Sequence, residues 1–242
     1  VTCGSSRVER RLLCACIVAA SCGPAAAVAD GVTVSKIYDP YVQPLEWELE
    51  WRLVNEVDDT NPDLQRQSFG IGRSVSDRVF AELYVIGTRG RDESLDVDAF
   101  ELEAKWQLTE QGEYAVDWGI LFELERETEN NAWEFASRLI AARDIGKTTT
   151  LVNASLIYEW GEGRENEFET ALQVQTRYRY REAFEPAIEL HMGQDTIALG
   201  PAIIGLWRPS TGKKLRWELG VFAGLDEKSP DRTVKASIEF EF

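Results

Sequence analysis

After residue 29 the sequence has no cysteine, and the whole chain holds one histidine and one methionine. All four cysteines, Cys3, Cys14, Cys16 and Cys22, lie near the N-terminus. The remaining 213 residues therefore cannot form a disulfide, a cysteine nucleophile or a thiolate zinc site. One histidine does not make a zinc ligand set, so no resident metal is expected. Positive charge is also scarce: 26 Lys+Arg face 42 Asp+Glu, a formal net charge of −16. A nucleic-acid partner needs a basic face and is excluded on that ground. No run of twenty apolar residues follows Ala29, so no segment is long and greasy enough for a membrane-spanning helix. There is no phosphate-cradling or dinucleotide-binding glycine motif, and no cofactor is expected. At 44% hydrophobic and 28% charged residues, the chain still has the composition of a folded protein.

The first thirty residues read as an address. Arg7, Arg10 and Arg11 form a basic stretch, and Leu12 to Ala20 an apolar one too short to cross a bilayer. Ala27-Val28-Ala29 is a small-residue cleavage site ahead of Asp30. Together they predict an export signal over 1–29, cleaved after Ala29. The alternative is a short N-terminal anchor. A lipoprotein reading on Cys22 lacks the leucine expected three residues earlier. Cleavage leaves 23 bases against 41 acids, a formal −18.

From Pro44 onward the dominant pattern is period-two alternation, the signature of strands. Leu45, Trp47, Leu49, Trp51 and Leu53 alternate with Glu46, Glu48, Glu50 and Arg52. Phe100, Leu102, Ala104 and Trp106 alternate with Glu101, Glu103, Lys105 and Gln107. Twelve strands are expected, at about 44–55, 65–74, 77–88, 96–108, 113–126, 131–143, 147–160, 166–181, 184–193, 195–208, 213–224 and 232–242. Gly70 and Gly72 weaken the second, and Pro201 interrupts the tenth, so ten to fourteen strands are compatible with the pattern. Most are longer than the ~5–6 residues usual in soluble sheets and match the ~9–11 of a tilted membrane strand. Connections alternate as well: shorter at Val75-Ser76, Asp144 to Gly146 and Glu182-Ala183, longer and acidic at Glu56 to Arg66 and Leu225 to Asp231. Short inner turns and longer outer loops are the pattern of outer-membrane barrels.

Alternation alone does not say which face is inside. A soluble sandwich or lipocalin-like domain buries the apolar face. A membrane barrel turns it to lipid and the acids to the lumen. The tryptophans share the apolar phase, and the polar phase is nearly free of large apolar residues over whole strands, as lipid requires. The chain ends Val234-Lys235-Ala236-Ser237-Ile238-Glu239-Phe240-Glu241-Phe242. This resembles the last strand of bacterial outer-membrane β-barrel proteins, a terminal Phe preceded by apolar residues at alternate positions. The resemblance implies an all-β, antiparallel transmembrane barrel in a Gram-negative outer membrane. It also implies contact with outer-membrane lipid and lipopolysaccharide, and Phe240 and Phe242 as the signal read by the barrel-assembly machinery. Residues 30–43 are expected to be a short periplasmic segment, too few for a separate plug domain, and 44–242 the barrel.

The inward phase is then the candidate site. Its expected lining is Glu46, Glu48, Glu50, Arg52, Glu82, Glu101, Glu103, Lys105, Asp117, Glu134, Arg138, Glu169, Arg177, Arg179, Glu189, His191, Arg216 and Glu218. Acids exceed bases about two to one, which favours cations in a pore. The expected function is a small passive channel that admits cationic solutes. A closed structural or surface-interaction barrel is the rival, reached if Glu–Arg pairs cross the lumen. A barrel-wall lipid hydrolase would need a serine beside His191, and neither flanking segment contains one, so no catalytic residue is assigned. Acids in the loops, such as Glu56, Asp58, Asp59 and Asp63, or Asp92, Glu93 and Asp96, lack the spacing of a calcium-binding loop and read as solvated.

Overall fold

The computed structural model describes residues 34–58, 63–90, 94–162 and 166–242. The export signal expected over 1–29 and the loop acids Asp59, Asp92 and Glu93 lie outside them. Twelve antiparallel strands form one closed barrel. They are β1 (Trp47–Val57), β2 (Leu64–Ser76), β3 (Val79–Gly90), β4 (Asp96–Gln107), β5 (Asp117–Glu127), β6 (Ala132–Ile145), β7 (Thr148–Gly161), β8 (Glu167–Tyr178), β9 (Glu185–Met192), β10 (Ile197–Ser210), β11 (Lys213–Gly224) and β12 (Arg232–Glu241). Each pairs with its sequence neighbour, and β12 closes on β1 through a ladder running from Glu48↔Glu241 to Val57↔Arg232. Closure leaves no sheet edge, so every strand finds a partner on both sides.

The exposure pattern decides which face is inside. On β1, Leu49 is 46% exposed while Glu48 and Glu50 are buried. On β4, Leu102 is 52% exposed and Glu103 only 1%. A soluble barrel would show the reverse. Aromatic groups stand at both rims, where their amphipathic rings suit a membrane interface. Trp133 stacks on Trp160 at 6.4 Å, with Tyr158 and Phe168 beside them. At the end carrying the C-terminus, Phe240 stacks on Phe242 at 5.5 Å, and the Trp47 and Phe242 backbones exchange two hydrogen bonds of 2.9 Å.

Both weak strands exist, for reasons local to each. A Cβ at Gly70 would lie 2.2 Å from the Tyr84 ring, and one at Gly72 2.4 Å from Glu82 Cγ and 2.7 Å from the Phe80 ring. The glycines are the floor on which neighbouring β3 side chains lie inside the lumen. In β10, pairing with β11 is present up to Leu199 and from Ala202, but not at Gly200 and Pro201. Proline, which has no N–H to give, sits where that ladder is interrupted.

Three boundaries differ from expectation by three residues or more, one of them the start of the first strand, at Trp47 rather than 44. The fifth strand begins at Asp117 rather than 113, so Tyr114 and Val116 belong to a long connection, 108–116. Asp117 accepts hydrogen bonds from the Gly112 N–H at 2.9 and 3.0 Å, and the Trp118 carbonyl accepts from the Leu108 and Thr109 N–H groups. These bonds close the loop and take the backbone out of the ladder. The eighth strand ends at Tyr178, with a single bridge between Arg181 and Phe184 beyond it.

The largest departure concerns the N-terminus. Of the segment expected to be a short periplasmic lead-in, the described residues 34–43 instead run inside the barrel. Val34, Ile37, Tyr38 and Val42 are all buried, against Val54, Ala198 and Phe222, against Ala142 and Leu151, and against Leu121 and Ile140. It is a single extended strand of chain rather than a plug domain, which is how so few residues suffice.

Leu102→Arg tests the outward orientation. An arginine at this mid-strand outward position is expected to cost ~2–4 kcal/mol in a bilayer. Denaturant unfolding from lipid vesicles reads the loss, and an unchanged midpoint would contradict a lipid-facing β4.

Candidate functional site

The lumen is the candidate site, and alternation supplies its chemistry: each strand sends every second side chain inward. Seventeen of the eighteen residues expected there are buried or half-buried along the inner wall; Arg179 lies past the end of β8, in an exposed pair with Asp144 at the turn. They do not form one ring. They fall into separate groups, each organised by one or two cations.

Nearest the C-terminus, Glu46 and Glu241 hold Lys214, the former at 3.0 Å. Arg216 pairs with Glu239 at 3.3 Å and Glu241 at 3.2 Å. At this end too, Arg177 pairs with Glu185 at 3.5 Å, Arg179 with Asp144 at 2.9 Å, and Lys105 reaches Asp39 at 3.9 Å while lying over the Phe80 ring. Asp117 holds the 108–116 loop and accepts from Tyr41 Oη at 2.8 Å.

Halfway up, Arg52 bridges Glu50 at 2.8 Å and Glu103 at 3.1 Å, and donates to Tyr84 Oη at 2.6 Å. Tyr84 Oη donates its one proton to Glu50 at 2.5 Å, with a Glu82 oxygen 2.9 Å away. Arg138 binds Glu123 at 3.1 Å and Ser155 at 3.0 Å. On the opposite wall Lys235 bridges Glu189 at 2.7 Å and Glu218 at 2.6 Å, and Gln175 donates to Glu189 at 2.7 Å. Toward the far end Arg66 pairs with Glu125 at 2.5 Å, above a cross-strand row in which Glu101 faces Glu125, Glu125 faces Glu134 and Glu134 faces Glu159. Glu169 is half-buried on the inner face of β8.

His191 is fully buried. Its Nε2 lies 3.0 Å from Glu189, its ring meets Phe222 edge-on at 4.9 Å, and its Nδ1 has no hydrogen-bond partner among the described residues. A nucleophile would need a hydroxyl within reach of that ring, and none is bonded to it. The histidine is a packed member of the Lys235 group.

Lys36, Tyr38 and Tyr41 of the N-terminal segment were not anticipated as site residues, nor were the wall amides that hold them. The Lys36 ammonium sits among three carboxylates, 2.7 Å from Glu239, 3.0 Å from Glu50 and 3.8 Å from Glu48. Tyr38 Oη donates to Glu103 at 2.6 Å, and Arg52 and Arg138 lie over its ring at 5.4 and 5.1 Å. An extended chain in a lumen must satisfy its own backbone groups. Asn153 does this for Tyr38, accepting from its N–H at 2.8 Å and donating to its carbonyl at 3.0 Å. Gln107 accepts from the Val42 N–H at 2.8 Å, and Lys235 and Arg138 donate to the Ser35 and Lys36 carbonyls. What remains open is a cavity of about 270 Å³ toward the terminal end, lined by Lys36, Asp39, Glu48, Lys105, Arg216 and Glu218 among others. A signal for this was present: Ile37-Tyr38 and Tyr41-Val42 are large apolar and aromatic pairs, out of place in a solvated lead-in.

No protein-family model matches the chain, and no curated protein matches it significantly. Solved structures do. An outer membrane channel from Pseudomonas putida F1 aligns over 86% of this chain and 99% of its own, at 13% identity and a TM-score of 0.61. The translocator domain of the autotransporter NalP from Neisseria meningitidis aligns over 84% and 90%, at 8% identity and a TM-score of 0.55. The KdgM porin in complex with disordered oligogalacturonate aligns over 81% and 98%, at 10% identity and a TM-score of 0.54. The fold is that of outer-membrane β-barrels.

Arg52 carries the central group. Arg52→Ala leaves Glu50 and Glu103 buried without their cation and should lower stability by about 3–5 kcal/mol. Adding Glu50→Gln to that variant should recover part of the loss. Equilibrium unfolding in detergent measures both, and a loss below about 1 kcal/mol, the size of an exposed pair, would contradict the assigned role.

Proposed function

We propose that the chain is a passive outer-membrane channel with an acidic, cation-leaning lumen, held closed at rest by residues 34–46. The terminal end faces the periplasm after export and cleavage near Ala29. The outward face meets lipid and lipopolysaccharide, and the β12 strand with Phe240 and Phe242 is the segment the assembly machinery reads. The protein is not an enzyme. The observation that carries the reading is the position of Lys36. Its ammonium occupies a three-carboxylate pocket in the lumen, the place and the ligand set that a permeating cation would use. The chain thus fills its own cation path with a tethered cation. The likeness to a porin holding oligogalacturonate supports a solute pathway of some kind. An anionic chain would meet repulsion from these acids, so small cationic solutes are the expected cargo.

A second reading rests on the same packing. A lumen crossed by so many ion pairs and filled by its own segment also suits a closed structural barrel. Planar-bilayer recording separates the two. Lys36→Glu places a fourth acid in the pocket and should expel the segment, giving a larger current with a cation-selective reversal potential. A tether gives the converse. A Cβ at Gly119 would lie 2.9 Å from Pro40 Cβ, so a shift of the segment by roughly 1 Å would bring the pair to the ~3.8 Å of a disulfide. The Pro40→Cys, Gly119→Cys pair should therefore hold the current at its resting level when oxidised, even with Lys36→Glu present, and release it on reduction. Silence in every variant would favour the closed structural barrel, and an anion-selective current would refute the cation path.

A further inference from the structure

Glu103 and Glu123 stand directly opposite one another in the β4–β5 ladder, with Glu101 on the same wall one inward position above Glu103. Like charges so placed are destabilising unless something neutralises them. One carboxylate oxygen from each of the three lies within 4.8 Å of the other two. A Ca²⁺–oxygen distance of ~2.4 Å spans ~4.8 Å across the ion, so three such oxygens fit around one centre.

The protein's own cations do not fill this position. Arg52 and the Tyr38 hydroxyl both engage Oε1 of Glu103. Arg138 engages Oε2 of Glu123. Oε2 of Glu103 remains buried with no hydrogen-bond partner, on a residue that is 1% exposed. A buried anionic oxygen without a donor is costly, and an ionised neighbouring glutamate can only accept. The other three-carboxylate cluster in the lumen, Glu48, Glu50 and Glu239, offers the comparison. There an ammonium, that of Lys36, sits among the carboxylates. The Glu101 cluster has the same ligand chemistry and no such ammonium.

We propose that Glu101, Glu103 and Glu123 form a site for a hard divalent cation of the size of Ca²⁺. All-oxygen, anionic ligands select such an ion over softer metals, and half-exposed Glu101 leaves room for water to complete its shell. Because Glu103 also receives the Tyr38 hydroxyl, the bound ion would stiffen the wall against which the N-terminal segment rests. The site does not depend on whether the barrel conducts.

The test uses the full-length barrel in detergent and Tb³⁺, a luminescent Ca²⁺ analogue sensitised by nearby tyrosines. Tyr38 bonds Glu103, and Tyr84 is the cross-strand partner of Glu101. One saturable emission component, displaced by Ca²⁺, is expected. Glu101→Gln should weaken binding by about tenfold or more through loss of an anionic ligand. Glu101 has no hydrogen bond or ion pair among the described residues, so the variant should retain the heat-modifiable migration of the folded barrel. Glu48→Gln, in the Lys36 pocket, should leave binding unchanged. Absence of saturable emission from the unsubstituted barrel would overturn the site. So would affinity that is indifferent to both Glu101→Gln and Glu123→Gln, or that falls equally in Glu48→Gln.

Discussion

Closure of the backbone ladder is the constraint on which everything else depends. In hydrocarbon there is no water to satisfy an N–H or carbonyl, so a sheet survives only when its last strand pairs with its first. The β1–β12 ladder does this, and it fixes the rest. With both edges consumed, alternation sends one set of side chains to lipid and the other into the lumen, with no third choice. The apolar set faces outward, so the acid-rich set must share a narrow interior. The inward charges are a consequence of the outward grease.

Carboxylates confined at such spacing need cations, hydrogen bonds or both. Several wall groups meet that need with a base from the same, a neighbouring or a facing strand: Arg52 between Glu50 and Glu103, Lys235 between Glu189 and Glu218, Arg216 between Glu239 and Glu241. The N-terminal segment is drawn into the same scheme. Lys36 contributes a base, and Tyr38 a hydroxyl and an aromatic face for two guanidinium groups. Asn153 and Gln107, mid-wall amides with no role in the ladder itself, supply the hydrogen bonds that a lone extended chain lacks. The segment is therefore held chiefly by polar contacts that water could replace, with small apolar contacts at Val34, Ile37 and Tyr38. The barrel wall has no such alternative in lipid. That difference in replaceability is the physical basis for treating the segment as the movable part and the wall as the fixed one.

The strands were legible because the membrane enforces their pattern residue by residue. Twelve were expected and twelve are present, even where Gly70, Gly72 and Pro201 blurred the signal. The fifth strand's start was misplaced because Tyr114 and Val116 continue the alternation while side-chain capping by Asp117 removes their backbone from the sheet. The inward residues could be named from phase alone. Which acid meets which base could not, since that depends on register and shear, which alternation does not encode. The lumen segment was missed for a related reason: an extended chain paired to side chains has no ladder partner and so no period to read. Only the unexplained Ile37-Tyr38 and Tyr41-Val42 pairs marked it.

Charge compensation also runs along the barrel axis. Near the C-terminus Lys36, Lys214 and Arg216 serve Glu46, Glu48, Glu239 and Glu241. Toward the far end Arg66 is the base paired within the row of Glu101, Glu125 and Glu134. Among the described residues that row shares one base where the C-terminal end has three, and low-dielectric walls focus its field along the lumen rather than into solvent. A cation entering from the far end would meet that row first, and beyond it the level of Arg52, Arg138 and Lys36, where the protein's own positive charges gather. Entry and obstruction are thus built from one lining, and the N-terminal segment sits where its bases gather.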